Sequence, residues 1–177
     1  MKSACPSPPR PILLAATGTR LAVTGLLAEA APPLAAVLSL PLASWPEAER
    51  GPEAGLTALA APEASPKARL VCLSWDPGLL LPDGRPWAEA LGAWRQPVLL
   101  LIGAEQLASG VACATTALLT ARGVPLAGLI QWGEPWQAEE RRRDSLPWLG
   151  ALGGAGVAEG CDLAAALQLQ MARLSSL

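Results

Sequence analysis

The chain has 177 residues, of which 51% are hydrophobic and 16% are charged, and this balance excludes an intrinsically disordered protein. Its length fits one domain with a sizeable core. A net charge of −2 provides no basic field for nucleic acid, and the absence of histidine excludes histidine bases, histidine metal ligands and Ser–His triads.

Proline dominates the start of the chain, so we expect a flexible segment over residues 1–10, followed by one α/β domain over residues 11–177. The first segment has a single lysine and no apolar run, so a cytoplasmic protein without a secretory signal is expected. The apolar stretch 21–42 is interrupted by Glu29, Pro32 and Pro33, and we therefore expect no membrane span.

Four cysteines, Cys5, Cys72, Cys113 and Cys161, are widely spaced and form no Cys-x-x-Cys pair. A zinc site is therefore not expected, and no other set of metal ligands stands out. Cys72 and Cys113 lie in apolar runs, so we expect them to be reduced, small residues of the core.

Short apolar runs alternate with helical patterns along the chain. The runs, which we interpret as buried strands with the last at a sheet edge, are residues 11–15, 34–38, 69–73, 97–102, 124–131 and 146–152. The helical patterns are residues 19–30, 87–95, 105–122, 139–145 and 163–174, with Pro32 and Pro33 ending the first and Gly123 the third. Residues 41–67 are interpreted as a loop with one helical turn at 56–61. This alternation predicts a single three-layer α/β domain, with a parallel sheet and helices on both faces.

The nine residues 16–24, ATGTRLAVT, follow the first strand and open the first helix. A phosphate-binding loop lies at this place in an α/β nucleotide-binding protein. Thr17, Thr19 and Thr24 could coordinate an anion there or cap the helix, and capping is the interpretation we favour. Arg20 could act as an anion clamp, although we expect it to be exposed to solvent.

Two further groups of residues are candidates for a site. Asp76 and Asp83 lie on loops after strands, where Asp76 could bind a metal, although a turn-stabilising role before Pro-Gly is favoured. Seven tryptophans are the only aromatic residues. Trp132 could stack on a base, cover a sheet edge or fill a dimer contact, and an exposed pair of Trp132 and Trp136 would indicate a protein contact.

Several segments are similar in order and spacing to one family. They are PVLLLI (97–102), the helix with Thr115 and Thr116, VPLAGLI (124–130), Trp132-Gly-Glu-Pro, GLLLP (78–82) and LPWLG (146–150). With ATGTRLAVT, which keeps the length of a Gly-Thr-Asp-Thr-x-x-Gly-Lys-Thr loop, they resemble dethiobiotin synthetase, an enzyme of biotin synthesis. The resemblance implies a P-loop NTPase-like fold, a homodimer and, in an active member, Mg-ATP as cofactor.

The loop departs from the pattern of that family. The position of the loop lysine is taken by Val23, and the two glycine positions are taken by Ala16 and Ala22. A valine removes the charge that would contact the transferring phosphoryl group, and the alanines hinder close approach of the backbone to a phosphate.

At three other positions, the functional residue that the resemblance implies is replaced by a residue of different chemistry. Leu40 stands for the lysine of Trp-Lys-Pro, Ser74 for the glutamate of Glu-Gly-Ala-Gly-Gly, and Trp132 for the asparagine that reads adenine. The resemblance therefore implies an eroded ATP site with no catalytic residue and no bound metal or cofactor. Its remaining members are Thr17, Thr19, Thr24 and Trp132.

We therefore expect a degenerate member that no longer runs the ATP-dependent carboxylation and acts as a binding or interaction protein. A homodimer, an unknown protein partner and a small molecule in the emptied pocket remain open as partners, whereas nucleic acid and membrane are not expected. The alternative is a divergent active dethiobiotin synthetase, an ATP-dependent cyclo-ligase acting on a diamino acid and carbon dioxide, for which Mg-ATP would be the cofactor.

Overall fold

The computed structural model describes residues 11–61, 68–153, 158–159 and 162–175. The proline-rich segment 1–10 lies outside the described residues, as do Cys5 and Cys161. The strands are β1 (Ile12–Ala16), β2 (Leu42–Ala43), β3 (Leu70–Leu73), β4 (Val98–Gly103), β5 (Leu126–Trp132), β6 (Trp148–Leu152) and β7 (Ala158–Glu159). The helices are α1 (Arg20–Leu38), α2 (Pro52–Ala60), α3 (Trp87–Ala93), α4 (Ala104–Leu107), α5 (Val111–Ala121), α6 (Ala138–Arg143) and α7 (Leu163–Ser175), with a 3₁₀ helix at Pro46–Arg50.

One sheet holds all seven described strands in the order β2-β3-β1-β4-β5-β6-β7. The first six are parallel, and the short β7 runs antiparallel to β6. β1 lies between β3 and β4, so that Leu14 is in register with Cys72 on one side and Leu99 on the other. The predicted α/β fold with a parallel sheet is confirmed, with β7 as an antiparallel addition.

Two layers of helices cover the two faces of the sheet. α1 and α7 pack on one face, against residues such as Leu14 and Leu101. The 3₁₀ helix, α2, α3 and α5 pack on the other face, against residues such as Leu13 and Leu100. Every residue of β1 is buried because both of its faces are covered, and this explains why its sequence is continuously apolar.

Helix α1 corrects two predictions. It does not end at Pro32 and Pro33, and residues 34–38 are its last turn and not a strand. The two prolines leave the carbonyl groups of Ala28 and Glu29 without helical N–H donors, but both residues are exposed, so water can take the donors' place. The helix ends where Ser39 adopts the left-handed conformation, with φ 54°.

The segment predicted as a loop over residues 41–67 contains β2, the 3₁₀ helix and α2. It packs on the sheet through Trp45, whose indole N–H donates to the Gly55 carbonyl at 3.0 Å and whose ring meets Trp87 edge-on at 5.8 Å. Proline opens both helices, at Pro46 and Pro52. Such short elements have no apolar period that sequence analysis could detect.

Three other predictions need correction. The single helix expected over 105–122 is divided into α4 and α5 near Gly110, although Gly123 does follow it with φ +70°. β6 is not an edge strand, because β7 pairs with it. Cys113 is exposed on α5 and not in the core, whereas Cys72 is half-buried.

By length and composition, α1 is apolar enough to cross a membrane, contrary to the expectation from Glu29 and the prolines. Core helices of soluble proteins pass the same test. Seven residues of α1 are buried within the protein, among them Val23, Leu27 and Leu34. This packing is compatible with a soluble protein.

Because Gly92 has no side chain, the backbone of α3 packs directly against the backbone that follows α5. A Cβ atom placed on Gly92 would lie 1.8 Å from the carbonyl oxygen of Arg122. Gly25, on the exposed side of α1, is the opposite case, because no atom lies within 4 Å of an added Cβ.

We expect Gly92→Ala to destabilise the protein by roughly 1–3 kcal/mol, since the backbone of α3 or α5 must move. Gly25→Ala, compared at a protein concentration where the chain is monomeric, is the matched control and should stabilise it by about 0.5–1 kcal/mol through helix propensity. Urea unfolding midpoints measure both effects. Equal unfolding midpoints for the Gly92 and Gly25 variants would contradict the close approach of α3 and α5.

Candidate functional site

The loop between β1 and α1 lies at the carboxyl edge of the sheet. The helix that follows β1 packs on one face, whereas the helices that follow the neighbouring strands β3 and β4 pack on the other. Open α/β sheets bind ligands at such a switch point. The fold therefore places ATGTRLAVT at the position predicted for a ligand-binding loop. Whether each residue can bind a ligand depends on the contacts that it already makes within the protein.

Thr17 is held from the side of β4. It is 4% exposed, and the side-chain amide of Gln106 donates to its carbonyl oxygen at 2.7 Å and to its hydroxyl at 2.8 Å. The oxygen of the same amide accepts a hydrogen bond from the Gly103 N–H at 3.1 Å. Gln106 thus connects the β1 loop to the start of α4, and both oxygens of Thr17 are engaged within the protein.

Gly18 is held from the side of β3. Its N–H donates to one oxygen of the Asp76 carboxylate at 2.7 Å, and the Gly78 N–H donates to the other oxygen at 2.7 Å. Gly18 has φ +125°, a conformation that favours glycine. The second bond is the turn-stabilising role expected for Asp76. The first places a carboxylate on the backbone N–H that a phosphate-binding loop would offer to its anion.

Thr19 and Thr24 serve the helix. Thr19 is the N-cap of α1, and its hydroxyl accepts from the Ala22 N–H at 3.3 Å. The Thr24 hydroxyl donates to the carbonyl oxygens of Arg20 at 2.9 Å and Leu21 at 3.1 Å. These contacts agree with the capping interpretation for Thr19, and they engage Thr24 with its own helix.

Arg20 is half-exposed and makes two contacts within the protein. Its guanidinium lies 3.9 Å from the ring centroid of Trp75 and forms an ion pair with Glu49. The positive charge of Arg20, which an anion clamp would need, is therefore already in contact with an aromatic ring and a carboxylate. The 3₁₀ helix supplies Glu49, so the segment predicted as a loop helps to fix the start of α1.

The residues that replace the functional residues of the dethiobiotin synthetase pattern mainly contribute to the hydrophobic core. Val23 is fully buried in the core between α1 and the sheet. Leu40 packs at the edge of that core. Trp132 is 8% exposed in the same cluster, so its ring is not presented for stacking on a base. Trp136 does not form an exposed pair with it, and its ring instead meets Trp148 edge-on at 6.4 Å.

A shallow, mostly apolar groove of about 230 Å³ runs beside α1, and we call it the α1 groove. Its walls come from α1, from Leu42 and from the end of β3, where Cys72 and Ser74 lie. Burial raises the pKa of the Cys72 thiol to about 11, so this thiol is neutral at physiological pH. The α1 groove therefore has no strong polar group with which to hold a charged ligand.

Sequence analysis missed Gln106 and Glu49 as parts of the loop's surroundings. The sequence predicts one long helix over residues 105–122 that contains Gln106, although Gln at the third position of a helix is a known signal of an N-terminus. Glu49 carried no signal, because its contact spans the chain from the 3₁₀ helix to α1. Among the described residues, no group of three acidic or cysteine side chains could hold a metal ion.

The chain was compared with models of known protein families and with curated proteins, and neither comparison gave a match.

We expect Asp76→Ala to lower the free energy of unfolding by about 1–3 kcal/mol, because two backbone N–H groups lose a charged acceptor. Asp83→Ala is the control: Asp83 also accepts from a backbone N–H, that of Arg85, but in an exposed turn. It should leave the unfolding midpoint nearly unchanged. Thermal or urea unfolding measures the difference, and equal effects for the two variants would contradict the role assigned to Asp76.

Proposed function

We propose that the chain is a dethiobiotin-synthetase-like protein of biotin-synthesis ancestry that does not carry out the ATP-dependent carboxylation. In this proposal it acts as a binding or interaction protein in the cytoplasm, with a second copy of itself as partner. The free thiols of Cys72 and Cys113 support a reducing compartment.

One observation carries the loss of ATP chemistry. The β1 loop keeps the length of a phosphate-binding loop, but the carboxylate of Asp76 takes the Gly18 N–H. A phosphate would have to displace that carboxylate and would be repelled by it. The loop also provides no lysine, since Val23 points into the core. Charge stabilisation is the main protein contribution to phosphoryl transfer, so its absence argues against turnover.

The outer side of α1 supports self-association. Leu21, Gly25, Ala28 and Pro32 are all exposed, and their spacing puts them on one stripe of the helix. Leu21 is 84% exposed, and Ala28 and Pro32 also line the α1 groove. If two copies of α1 pack antiparallel around a two-fold axis, Leu21 lies opposite Pro32 of the other copy, and Gly25 opposite Ala28. The same apolar surface then complements itself, as a two-fold interface requires.

Titration with Mg-ATP by isothermal calorimetry tests the loss of ATP binding. We expect no saturable heat up to about 1 mM nucleotide, the range where binding free energy falls below roughly 4 kcal/mol. The chain should also fail to restore growth of a biotin auxotroph that lacks the synthetase. Micromolar binding of ATP, or restored growth, would instead establish the alternative of a divergent active synthetase.

Sedimentation velocity tests the self-association. The wild-type chain should form dimers as its concentration rises, and Leu21→Glu should remain a monomer because it places a charge in the apolar contact. Leu169→Glu is the matched control, since Leu169 is 57% exposed on α7, outside the stripe of α1 that forms the proposed contact, and this variant should still dimerise. A wild-type chain that stays monomeric at about 100 μM would refute the proposed partner.

A further inference from the structure

A second cavity lies on the sheet face opposite α1, and no residue of the β1 loop lines it. It has a volume of about 220 Å³ and is bounded by the start of α2, by α3 and by the loop that follows β3. We call it the α2–α3 cavity. Pockets for drug-sized ligands are generally larger, from about 300 Å³ upwards, so this one suits a smaller molecule.

The floor of the α2–α3 cavity is apolar. Leu81 is partly buried, Ala90 and Ala93 come from α3, and the indole of Trp94 is 37% exposed beside them. Small side chains next to a large aromatic surface leave room for an aliphatic group, whose burial would be favourable.

The rim of the cavity carries charges of both signs. Arg85 forms ion pairs with Asp83 at 2.8 Å and with Glu89 at 3.9 Å, and Glu89 also contacts Arg122 at 3.3 Å. The Asp83 carboxylate raises the pKa of Arg85, and the nearby charges of Glu89 and Glu53 add to the rise. Three of the charged groups on the rim are therefore already satisfied by one another.

Arg50 and Glu53 differ from these three residues. Both line the cavity, yet across the parts of the chain that the structure describes neither makes an ion pair or a side-chain hydrogen bond. Both side chains are exposed, and although the charge of Glu53 acts on Arg85 from nearby, neither group is held by a direct ion pair. A simple anion would meet the three carboxylates of the rim, and a simple cation would meet two guanidinium groups, whereas a molecule with both charges can satisfy both sides.

We propose that the α2–α3 cavity binds a small zwitterion with an apolar side chain, the class to which the aliphatic α-amino acids belong. Arg50 holds the carboxylate, Glu53 holds the ammonium group, and the aliphatic side chain lies on the floor of Leu81, Ala90 and Trp94. This site is independent of the β1 loop and of the outer side of α1, so it does not depend on the proposed function.

Calorimetric titration with three probes of matched shape tests the site. L-Leucine carries both charges, 4-methylpentanoate lacks the ammonium group, and 3-methylbutylamine lacks the carboxylate. We expect L-leucine to bind saturably with a dissociation constant of about 1 mM or below, and each analogue to bind at least tenfold more weakly. No saturable binding of L-leucine up to about 10 mM, or equal binding of the three probes, would overturn the proposal.

Two substitutions assign the charges. Arg50→Gln and Glu53→Gln should each weaken L-leucine binding about tenfold, which corresponds to the loss of one charge-assisted contact. Because neither side chain makes an ion pair or a side-chain hydrogen bond among the described residues, we expect both variants to keep the wild-type circular dichroism spectrum. Arg143→Gln, which removes an exposed charge on α6, is the control and should bind L-leucine as the wild type does. Unchanged affinity in both cavity variants would refute the assignment.

Discussion

The hydrogen bond between the Gly18 N–H and the Asp76 carboxylate joins the loop after β1 to the loop after β3 and fixes their relative position. β1 and β3 are neighbours, and their following helices go to opposite faces of the sheet, so the chain must diverge at their carboxyl ends. Asp76 joins these ends with a charged acceptor that serves both Gly18 and Gly78. Gln106 makes the corresponding link to the third loop, after β4. The start of α1 is thereby held from both sides by side chains of the protein itself.

Parts of the fold that depend on long apolar runs could be predicted from the sequence. β1 and β4 are buried on both faces, as are most residues of β3 and β5. A buried parallel strand needs a nearly continuous apolar run, so these sequences allow few other interpretations even with the polar Gln131 in β5. The same logic failed at residues 34–38. That run is just as apolar, but its neighbours Ala30 and Ala31 face the sheet from the same helix. Ala28 and Glu29 are exposed, so water can bind their carbonyl groups and the helix tolerates Pro32 and Pro33.

The sequence was enough to predict where the candidate site lies in the fold, but not which residues contact it. The position of ATGTRLAVT after a buried strand located the loop at the carboxyl edge. The partners of that loop, Asp76, Gln106 and Glu49, are 58, 89 and 29 residues away from the residues they bind. No local pattern encodes contacts of this separation, because they depend on the order of strands in the sheet. Trp132 shows the same limit, since its burial in the core that α1 and α7 cover depends on which face of β5 it occupies.

The two borders of the sheet restrict how the protein can aggregate or assemble. β2 and β7, the outermost described strands, have two described residues each. A border of this length exposes few backbone donors and acceptors, and natural proteins use such short strands to prevent another chain from extending the sheet. The very apolar central strands, such as Leu99–Ile102, are therefore shielded from strand-to-strand addition in the native state. Contacts between molecules are directed to the helical layers, where side chains and not backbone hydrogen bonds determine which partner is accepted.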